Sequence, residues 1–506
     1  MKLKKGENMM FEKITPEAAG IPSGAVEKYL SHLERRGVRL HSLLLMKGDK
    51  LYGEYYWAPF DKDFCHRMYS QTKSYTAVAI GLLEEEGKLS IYDPISKYFD
   101  DRIDTYLPEP LREQTIKEML TMTTVGECAS WFDEHGEPDR THLYFNMNRD
   151  KHLRAAGTVW DYDSAGSQVL SSLVEKLSGM STFDYLNEKI FRHLGTFKTA
   201  TMLRTRNGDS WGDSALVCTP RDMASFARFV MNYGVWNGKR LMNEQYLRDA
   251  TAKQVDNSEY KRHGSVYTNG YGYQIWRCEQ NSFSFHGMGS QLTVCTPDKD
   301  LIMVCTGDTQ GSELANDLII GGYFDLVVDS MQPASLPENP AQNASLEALG
   351  ASLTLRAAKG MPDSPFRAEL SGREYLAYSN PMGISRFSFV FSEDGDKGEL
   401  RYTNAQGEKV IPFGVNHNVF GKFPELGYSN DFGGLRTTDG FTYDDAVSMA
   451  WLEEKKLVLS VQIIDRYFGN VDMYFAFKGD EVTVLMQKCA EDFLDKYDGQ
   501  LIAKRI

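Results

Sequence analysis

The segment YSQTKSYTAVAIG, residues 69–81, places a serine and a lysine three positions apart at the head of an apolar run. Apolar residues recur at helical spacing as far as Leu83, and Gly87 can end a helix in a left-handed conformation. We therefore predict a helix that starts near Ser70 and brings Ser70 and Lys73 together on one face. A lysine drawn inward by such a stripe loses charge stabilisation and can serve as a base for the neighbouring hydroxyl.

The spacing by itself leaves two interpretations of this pair open. A serine that caps the helix beside a lysine extending to solvent would give the same pattern. A second match, Ser258 to Lys261 in KQVDNSEYKRHG, lies in polar sequence with no apolar helix behind it, and we predict a loop there. The apolar context therefore distinguishes Ser70 and Lys73 from a chance match.

Composition narrows the class of protein. The 506 residues carry a net charge of −14, which argues against nucleic acid or an anionic membrane as a partner. No apolar stretch reaches about 18 residues, and no apolar signal region follows the lysines near the N-terminus. The seven scattered cysteines form no CxxC pair, which is typical of reduced thiols. We therefore expect a cytoplasmic protein, and its oligomeric state stays open.

The sequence contains no HExxH motif, no nucleotide P-loop and no GxGxxG fingerprint, so we expect no metal and no organic cofactor. One group of acidic and histidine residues comes nearest to a metal site. Its members, which surround Gly136 and Pro138, are Asp133, Glu134, His135, Asp139 and His142. Their spacing fits no recognised zinc pattern, and we interpret them as a solvated loop.

Helical patterns and hairpins alternate over roughly the first 330 residues. Residues 41–57 and 291–307 each have the pattern of two strands joined by a turn. Residues 164–179 and 221–234 repeat the helical pattern of the opening segment. The mixture predicts an α+β fold in which helices flank an antiparallel sheet.

A change of pattern marks a domain boundary. QPASLPENPAQNAS, residues 332–345, combines prolines with small polar residues, as linkers do. Beyond it comes a short helical piece, SLEALGASL, residues 345–353. Strand patterns with recurring turns follow and predict an all-β barrel or sandwich. We divide the chain into an N-terminal extension, a main domain, a linker and a β-rich domain, at residues 1–14, 15–331, 332–358 and 359–506.

Two later motifs contain candidate site residues. Tyr162 and Ser164 precede the second apolar helix, where a phenol can transfer protons beside a lysine, although packing aromatics are commoner there. FHGMGSQ, residues 285–291, precedes a strand, and its glycines would let a substrate approach the backbone. A free N–H there can complete an oxyanion hole, and His286 can orient a substrate. A packed histidine in a glycine-rich bulge has the same pattern.

Ser210 is a competing nucleophile, in the formal G-x-S-x-G motif of residues 208–212. With Asp222 and His286 downstream, it would give the Ser-Asp-His order of an α/β-hydrolase. A nucleophile elbow needs a buried strand before it and a helix directly after it. Neither TATMLRTRN before the motif nor DSALVCTPRD after it meets this requirement convincingly.

Ser-x-x-Lys, Tyr-x-Ser and His-Gly-x-Gly occur in an order that resembles the serine β-lactamase and penicillin-binding-protein-like superfamily. The likeness is to class C enzymes, esterases and 6-aminohexanoate-dimer-hydrolase-like proteins, and it covers about residues 15–330. Segments such as DPISKYFDD, IFRHLGTFKT and GYGYQIW support it. The resemblance implies an all-helical subdomain beside the sheet, and a C-terminal domain like the small lipocalin-like barrel of some members.

The resemblance also implies a role for each matching residue. Ser70 matches the acylated nucleophile and Lys73 its base partner. Tyr162 matches the tyrosine that activates the nucleophile and protonates the leaving group. Ser164 stands where the lactamases usually carry an asparagine that contacts the substrate amide.

The strand motif has two possible registers under this resemblance. His286 falls near the lysine of the Lys-Thr-Gly motif, and Gly287 follows it. Ser70 supplies the first oxyanion N–H, and Met288 or Gly289 supplies the second.

Two departures from the lactamase pattern bear on the activity. The missing lysine removes the fixed charge that recognises a β-lactam carboxylate, and the missing asparagine removes an amide contact. We therefore predict a serine hydrolase that cleaves an ester or amide bond in a small molecule or short peptide. A non-catalytic ligand-binding or sensor protein on the same scaffold is the alternative, beside the α/β-hydrolase that would act through Ser210.

Overall fold

A computed structural model describes residues 11–104, 106–126, 139–146, 153–259, 264–428, 438–466, 469–490 and 497–506. The chain divides into two compact units, Met1–Thr354 and Leu355–Ile506. None of the helices in these described ranges is both long and apolar enough to cross a membrane.

The first unit contains strands β1 to β12 in chain order. They are Glu12–Lys13, Leu40–Lys47, Lys50–Tyr56, His66–Arg67, Thr201–Met202, Leu216–Cys218, Val235–Trp236, Lys239–Arg240, Trp276–Arg277, Phe283–Gly287, Gln291–Thr296 and Leu301–Gly307. The central sheet has the order β1-β3-β2-β12-β11-β10-β9, in which only the β1–β3 pair is parallel. The strands β4, β6 and β5 form a small sheet, and β7 and β8 form a ribbon.

The same unit contains helices α1 to α12. They are Ser23–Arg36, Thr72–Glu85, Glu109–Glu113, Ile116–Leu120, Arg140–Asn146, Ser164–Ser178, Thr182–Leu186, Arg192–Leu194, Pro220–Met231, Glu244–Thr251, Ala315–Tyr323 and Pro340–Ala351. Single 3₁₀ turns cover Glu17–Ala19, Tyr69–Gln71, Ile95–Tyr98, Asp100–Arg102, Ser265–Tyr267 and Pro297–Lys299. Wider π turns cover Asn187–Phe191 and Phe324–Val328.

Alternation of side chains along β12 puts a core on each face of the central sheet. Ile302 and Val304 pack with residues of α2, α6 and α9 on one face. Leu301 and Met303 pack with residues of α1 and α11 on the other. Helices therefore flank an antiparallel sheet, which confirms the predicted α+β fold.

The helix predicted from the opening segment is α2, and it differs from the prediction in its burial. A one-sided apolar stripe was expected, but every residue of 72–83 is buried. Helix α6 packs along α2 and also contacts α4, α5 and α7, which together form the all-helical subdomain. Gly87 has φ of +69°, as expected at a helix end.

The second unit is a closed barrel. Helix α13 is Arg367–Leu370, and strands β13 to β22 are Glu374–Ala377, Arg386–Phe391, Lys397–Asn404, Gly407–Val415, Val419–Tyr428, Thr438–Glu453, Lys456–Ile464, Gly469–Lys478, Glu481–Ala490 and Gly499–Arg505. Nine strands run in the order β16-β15-β14-β13-β22-β21-β20-β19-β18. A parallel pairing of Gly414 with Ser448 and Val415 with Met449 closes the ring. The predicted all-β barrel is confirmed.

The helical piece predicted at residues 345–353 is part of a longer helix that begins inside the Pro-rich segment. This helix, α12, lies within the predicted linker of residues 332–358 and contacts α1 and β3. Leu346 is buried, and Ser345 Oγ donates a hydrogen bond of 2.9 Å to Glu27 in α1. A proline at the first helical position explains why a Pro-rich segment starts a helix here, since that position needs no N–H donor.

Candidate active site

Ser70 lies in the turn Tyr69–Gln71 directly before α2, at the positive end of that helix. Tyr69 adopts φ of 47°, which a bulky residue rarely does. Gln71 anchors the turn to β11, because its Nε2 donates a 2.6 Å hydrogen bond to Thr293 Oγ1. The turn that carries Ser70 therefore follows a residue in a strained backbone conformation and is held against β11 by Gln71.

Lys73 is buried beneath this serine. Its Nζ donates hydrogen bonds to Ser70 Oγ at 3.1 Å and to the Asp213 carbonyl at 2.8 Å. The Asp213 carboxylate lies 3.6 Å from Nζ, and both side chains are 2% exposed. The structure thus brings Ser70 and Lys73 together as predicted and excludes the lysine that extends to solvent.

Asp213 is a site residue that the sequence did not reveal. Its loop is held by Arg67, whose guanidinium donates to the Ser214 carbonyl at 2.9 Å and to Ser214 Oγ at 3.1 Å. Gly212 allows the loop to pass close to α6, since a Cβ there would lie 2.1 Å from Ser171 Oγ. A buried lysine needs an acidic partner, but nothing in the sequence selects one carboxylate among 70 acidic residues.

Tyr162 lies beside the pair without joining its hydrogen bonds. The Lys73 Nζ is 5.2 Å from the centroid of the Tyr162 ring. In the described part of the chain, the phenol donates to neither Ser70 nor Lys73. The ring stacks on Trp276 at 5.9 Å, so the packing expected of a loop aromatic is also present.

His286 is a buried, uncharged side chain on β10. Its Nε2 lies 2.6 Å from Ser284 Oγ, while Nδ1 has no partner among the described residues. The imidazole stacks on Trp276 and meets Tyr267 edge-on, at 5.5 Å and 5.1 Å. Burial lowers the pKa of His286 to about 3, so the ring is neutral near pH 7 and provides no fixed positive charge.

The glycines after His286 bring β10 against the nucleophile turn. A Cβ on Gly287 would lie 2.1 Å from the Met68 carbonyl oxygen, so only glycine fits there. Gly289 and Ser290 have φ of +75° and +66°, which turn the chain back into β11. Met288 is 45% exposed at the tip of this turn.

Two further candidates lie elsewhere. Ser164 is the first residue of α6, behind the cap formed by Asp163, and is not among the residues that line the cavity described below. Ser210 is 3% exposed, and its Oγ donates a 2.6 Å hydrogen bond to Glu175. Asp222 bonds Thr219 at the start of α9. The α/β-hydrolase triad of Ser210, Asp222 and His286 is therefore wrong for this fold.

Three members of the acidic and histidine cluster, Asp133, Glu134 and His135, lie outside the described residues. Asp139 contacts Arg102 at 3.2 Å, and His142 Nε2 lies 2.7 Å from Asp104 Oδ2. The second Ser-x-x-Lys match, Ser258 to Lys261, also lies partly outside the described residues, because Lys261 is not among them.

A cavity of about 500 Å³ opens above Ser70, a size typical of small-molecule sites. It is lined by Ser70, Tyr162, Tyr267, Trp276, residues 286–290, residues 309–313 and Asn316. Six of the eight predicted site residues line it, and Lys73 lies directly behind Ser70. An apolar wall with a few converging polar groups suits a ligand of modest size.

The β-lactamase family model matches residues 25–319, which is more than half of the chain. The chain belongs to the β-lactamase family. The resemblance seen in the sequence is thereby confirmed, and with it the placement among serine hydrolases of this fold.

Two relatives of this family member are less than 30% identical to it. Over 314 residues it is 23% identical to the 6-aminohexanoate-dimer hydrolase of Paenarthrobacter ureafaciens, covering 57% of this chain and 78% of that protein. Penicillin-binding protein 4* of Bacillus subtilis is 28% identical over 150 residues, 28% of this chain and 31% of that protein. A solved structure from Bacillus anthracis, assigned as a 6-aminohexanoate-dimer hydrolase, is 18% identical with a TM-score of 0.51. It covers 65% of this chain and 88% of its own, and shows the fold alone.

Proposed function

We propose that this β-lactamase family member cleaves an ester or amide bond in a small molecule or short peptide through an acyl-enzyme on Ser70. One observation carries the proposal: a buried lysine donates a 3.1 Å hydrogen bond to a serine hydroxyl on the floor of a cavity. An activated nucleophile requires a neighbour within hydrogen-bond reach that can take its proton, and Lys73 can do so when its Nζ is neutral.

The reaction has two steps, formation of the acyl-enzyme and its hydrolysis. The network of Lys73 and Tyr162 first loses one proton to solvent, which leaves it able to accept another. Ser70 Oγ then attacks the carbonyl carbon while its proton passes to this network. The bond to the leaving group breaks, and Tyr162 returns the proton to the departing oxygen or nitrogen. Water then attacks the acyl ester, loses a proton to the same network, and releases the acid and free Ser70. The Tyr162 hydroxyl must approach Ser70 for this transfer, as catalytic hydrogen bonds often do only when substrate is bound.

Backbone N–H groups stabilise the oxyanion. The first belongs to Ser70, at the N-terminal end of α2, and the second to Met288 or Gly289 in the turn after β10. Gly287 supports this arrangement because its missing side chain lets the turn approach the backbone of Met68.

Esters or amides without a recognition carboxylate fit the site better than β-lactams do. His286 occupies the strand position next to the turn and is neutral near pH 7 because burial lowers its pKa to about 3. Recognition of a carboxylate at that place needs a stable positive charge.

Hydrolysis of p-nitrophenyl esters and amides by the wild type, Ser70→Ala and Ser210→Ala tests the proposal, with nitrocefin as the β-lactam probe. We expect Ser70→Ala to lose at least about a thousandfold in kcat/KM, and Ser210→Ala to remain active. Full activity of Ser70→Ala would refute the proposed nucleophile. Ligand binding with no Ser70-dependent turnover would instead support a sensor protein on the same scaffold.

A further inference from the structure

A buried amide holds the glycine turn after β10 by the carbonyl oxygens of the turn's own backbone. Gln291 is the first residue of β11 and is fully buried. Its Nε2 donates to the carbonyl oxygens of Met288 at 3.2 Å, Gly289 at 3.3 Å and Gly307 at 2.7 Å. Since all three partners are acceptors, this end of the amide is its NH₂ group. The shortest bond fixes the amide to the end of β12, and the other two fix the turn to the amide.

A second set of contacts holds the same turn. The N–H of Thr309 donates to the Gly289 carbonyl at 3.3 Å, so that oxygen has two donors. Ser290 Oγ lies 2.6 Å from Thr309 Oγ1 and donates to Asn316 Oδ1 at 2.6 Å. By contrast, no backbone carbonyl of the described residues accepts a hydrogen bond from the N–H of Met288 or Gly289. The turn therefore has its carbonyl oxygens bonded and its N–H groups open to a ligand.

The carbonyl contacts determine where the N–H groups point. In a trans peptide the C=O and the N–H lie on opposite sides, so a held Met288 carbonyl directs the Gly289 N–H away from Gln291. Gly289, with φ of +75°, lacks the side chain that restricts rotation of the neighbouring peptides. A rotated peptide would present its carbonyl oxygen in place of the N–H, and that oxygen would repel an oxyanion. The turn therefore needs a clamp on its carbonyl oxygens to keep its donors in place.

We propose that Gln291 is the positioning residue of the oxyanion hole, because its buried amide keeps the N–H groups of the turn directed at the cavity. This inference rests on the proposed function, since the oxyanion arises in the acyl transfer at Ser70. Gln291 is not among the residues that line the cavity, so it acts through the turn and touches no substrate. The amide bonds the carbonyls of both Met288 and Gly289, so the role holds for either as the second donor.

The expected effect lies below the loss of a whole oxyanion donor. Removing such a donor outright lowers kcat by about 100- to 1000-fold. Without the amide the donor is still present, and the bonds from Ser290 and Thr309 still hold part of the turn. A displacement of about 1 Å at a reacting centre can cost about 100-fold. We therefore expect loss of the Gln291 amide to lower kcat/KM by about 10- to 100-fold.

Gln291→Met tests the role, since it removes the donor and keeps an unbranched side chain of similar length. Its kcat/KM is measured on p-nitrophenyl acetate and on p-nitrophenyl thionoacetate, in which sulfur replaces the carbonyl oxygen. Sulfur is a weak hydrogen-bond acceptor, so a working oxyanion hole favours the oxygen ester. We expect Gln291→Met to lower the ratio of the two kcat/KM values by at least about fivefold. A merely structural role would leave this ratio unchanged.

Gln114→Met is the matched control. Gln114 is equally buried, donates to Tyr144 at 2.8 Å and accepts from the Val125 N–H at 2.9 Å. It does not line the cavity and does not contact the turn after β10. We expect its substitution to lower stability and leave the ratio unchanged. Should Gln291→Met fail to fold, Gln291→Asn replaces it, because the shorter amide cannot span Gly307 and the turn, and the same direction is expected.

The outcomes separate this inference from the proposed function. Ser70-dependent hydrolysis with an unchanged ratio in Gln291→Met, or with an equal change in Gln114→Met, would overturn the inference and leave the function standing. Should the wild type hydrolyse no ester, the proposed function fails, and crystal structures of the wild type and Gln291→Met decide the inference. A shift of the backbone at residues 288–289 by about 1 Å or more supports the positioning role, and a superimposable turn overturns it.

Discussion

The buried pair of Lys73 and Asp213 makes a quantitative prediction about stability. Asp213→Asn keeps the shape of the side chain and the backbone carbonyl that accepts from Nζ at 2.8 Å, but removes the negative charge at 3.6 Å. Lys73→Met removes the positive charge and leaves the buried Asp213 carboxylate without its cationic partner. The other oxygen of that carboxylate, Oδ1, has no hydrogen-bond partner among the described residues.

Each single substitution leaves an unpaired buried charge. Two unit charges 3.6 Å apart attract by roughly 4–5 kcal/mol at an effective dielectric constant of about 20. Breaking a buried pair from one side costs about 3–5 kcal/mol. Asp213→Asn keeps the hydrogen bond from Lys73 Nζ to the backbone carbonyl of residue 213. We therefore expect it to lower the free energy of unfolding by an amount at the lower end of this range, about 3 kcal/mol. Removing both charges should cost less than the sum of the single changes by about 2–3 kcal/mol.

Urea unfolding of the wild type, the two single variants and the double variant measures this coupling. Tryptophan fluorescence is a suitable signal, because six of the seven tryptophans lie before residue 355 and therefore in the first unit. Free energies of unfolding that add to within about 0.5 kcal/mol would show that the two charges do not interact and would refute the reasoning.

Three further results are expected. Ser210→Ala should stay active but lose about 1 kcal/mol in urea unfolding, because the half-buried Glu175 loses a 2.6 Å donor and keeps the backbone N–H of residue 210; loss of activity with intact stability would contradict this. Gly287→Ala should lower kcat/KM by more than about tenfold at unchanged expression, since the new Cβ would lie 2.1 Å from the Met68 carbonyl oxygen. Acid should destabilise the first unit through His286, whose pKa is about 3 when folded against 6.5 as its ordinary value. The unfolded chain binds the proton first, so stability present above pH 6.5 is lost as pH falls toward 3, at up to about 1.4 kcal/mol per pH unit. His286→Gln should remove that one-proton slope.

Local patterns of the sequence predicted the elements that depend on local chemistry. The period of the apolar residues and the Gly87 stop predicted α2, and three-residue spacing placed Ser70 and Lys73 side by side. The hairpin pattern of residues 291–307 predicted β11, which follows the glycine turn after His286, and its partner β12. The order of three motifs then indicated the family, which no single motif did.

Contacts between distant segments could not be predicted in this way. Asp213 meets Lys73 across 140 positions, and only the fold decides which acid reaches a buried lysine. The complete burial of α2 depends on helices packed around it, because the apolar stripe alone predicts one covered face. The parallel pairing of Gly414 with Ser448 that closes the barrel likewise joins strands that are not consecutive.

Covalent labelling with a fluorophosphonate tests the central claim, that Ser70 is the nucleophile, most directly. Trypsin places Ser70 in a peptide of residues 68–73 and Ser210 in one of residues 207–221, so mass spectrometry distinguishes the two sites. We predict one adduct per chain on the peptide of residues 68–73, absent from Ser70→Ala and retained in Ser210→Ala. An adduct on residues 207–221, or the same labelling in Ser70→Ala, would contradict the account.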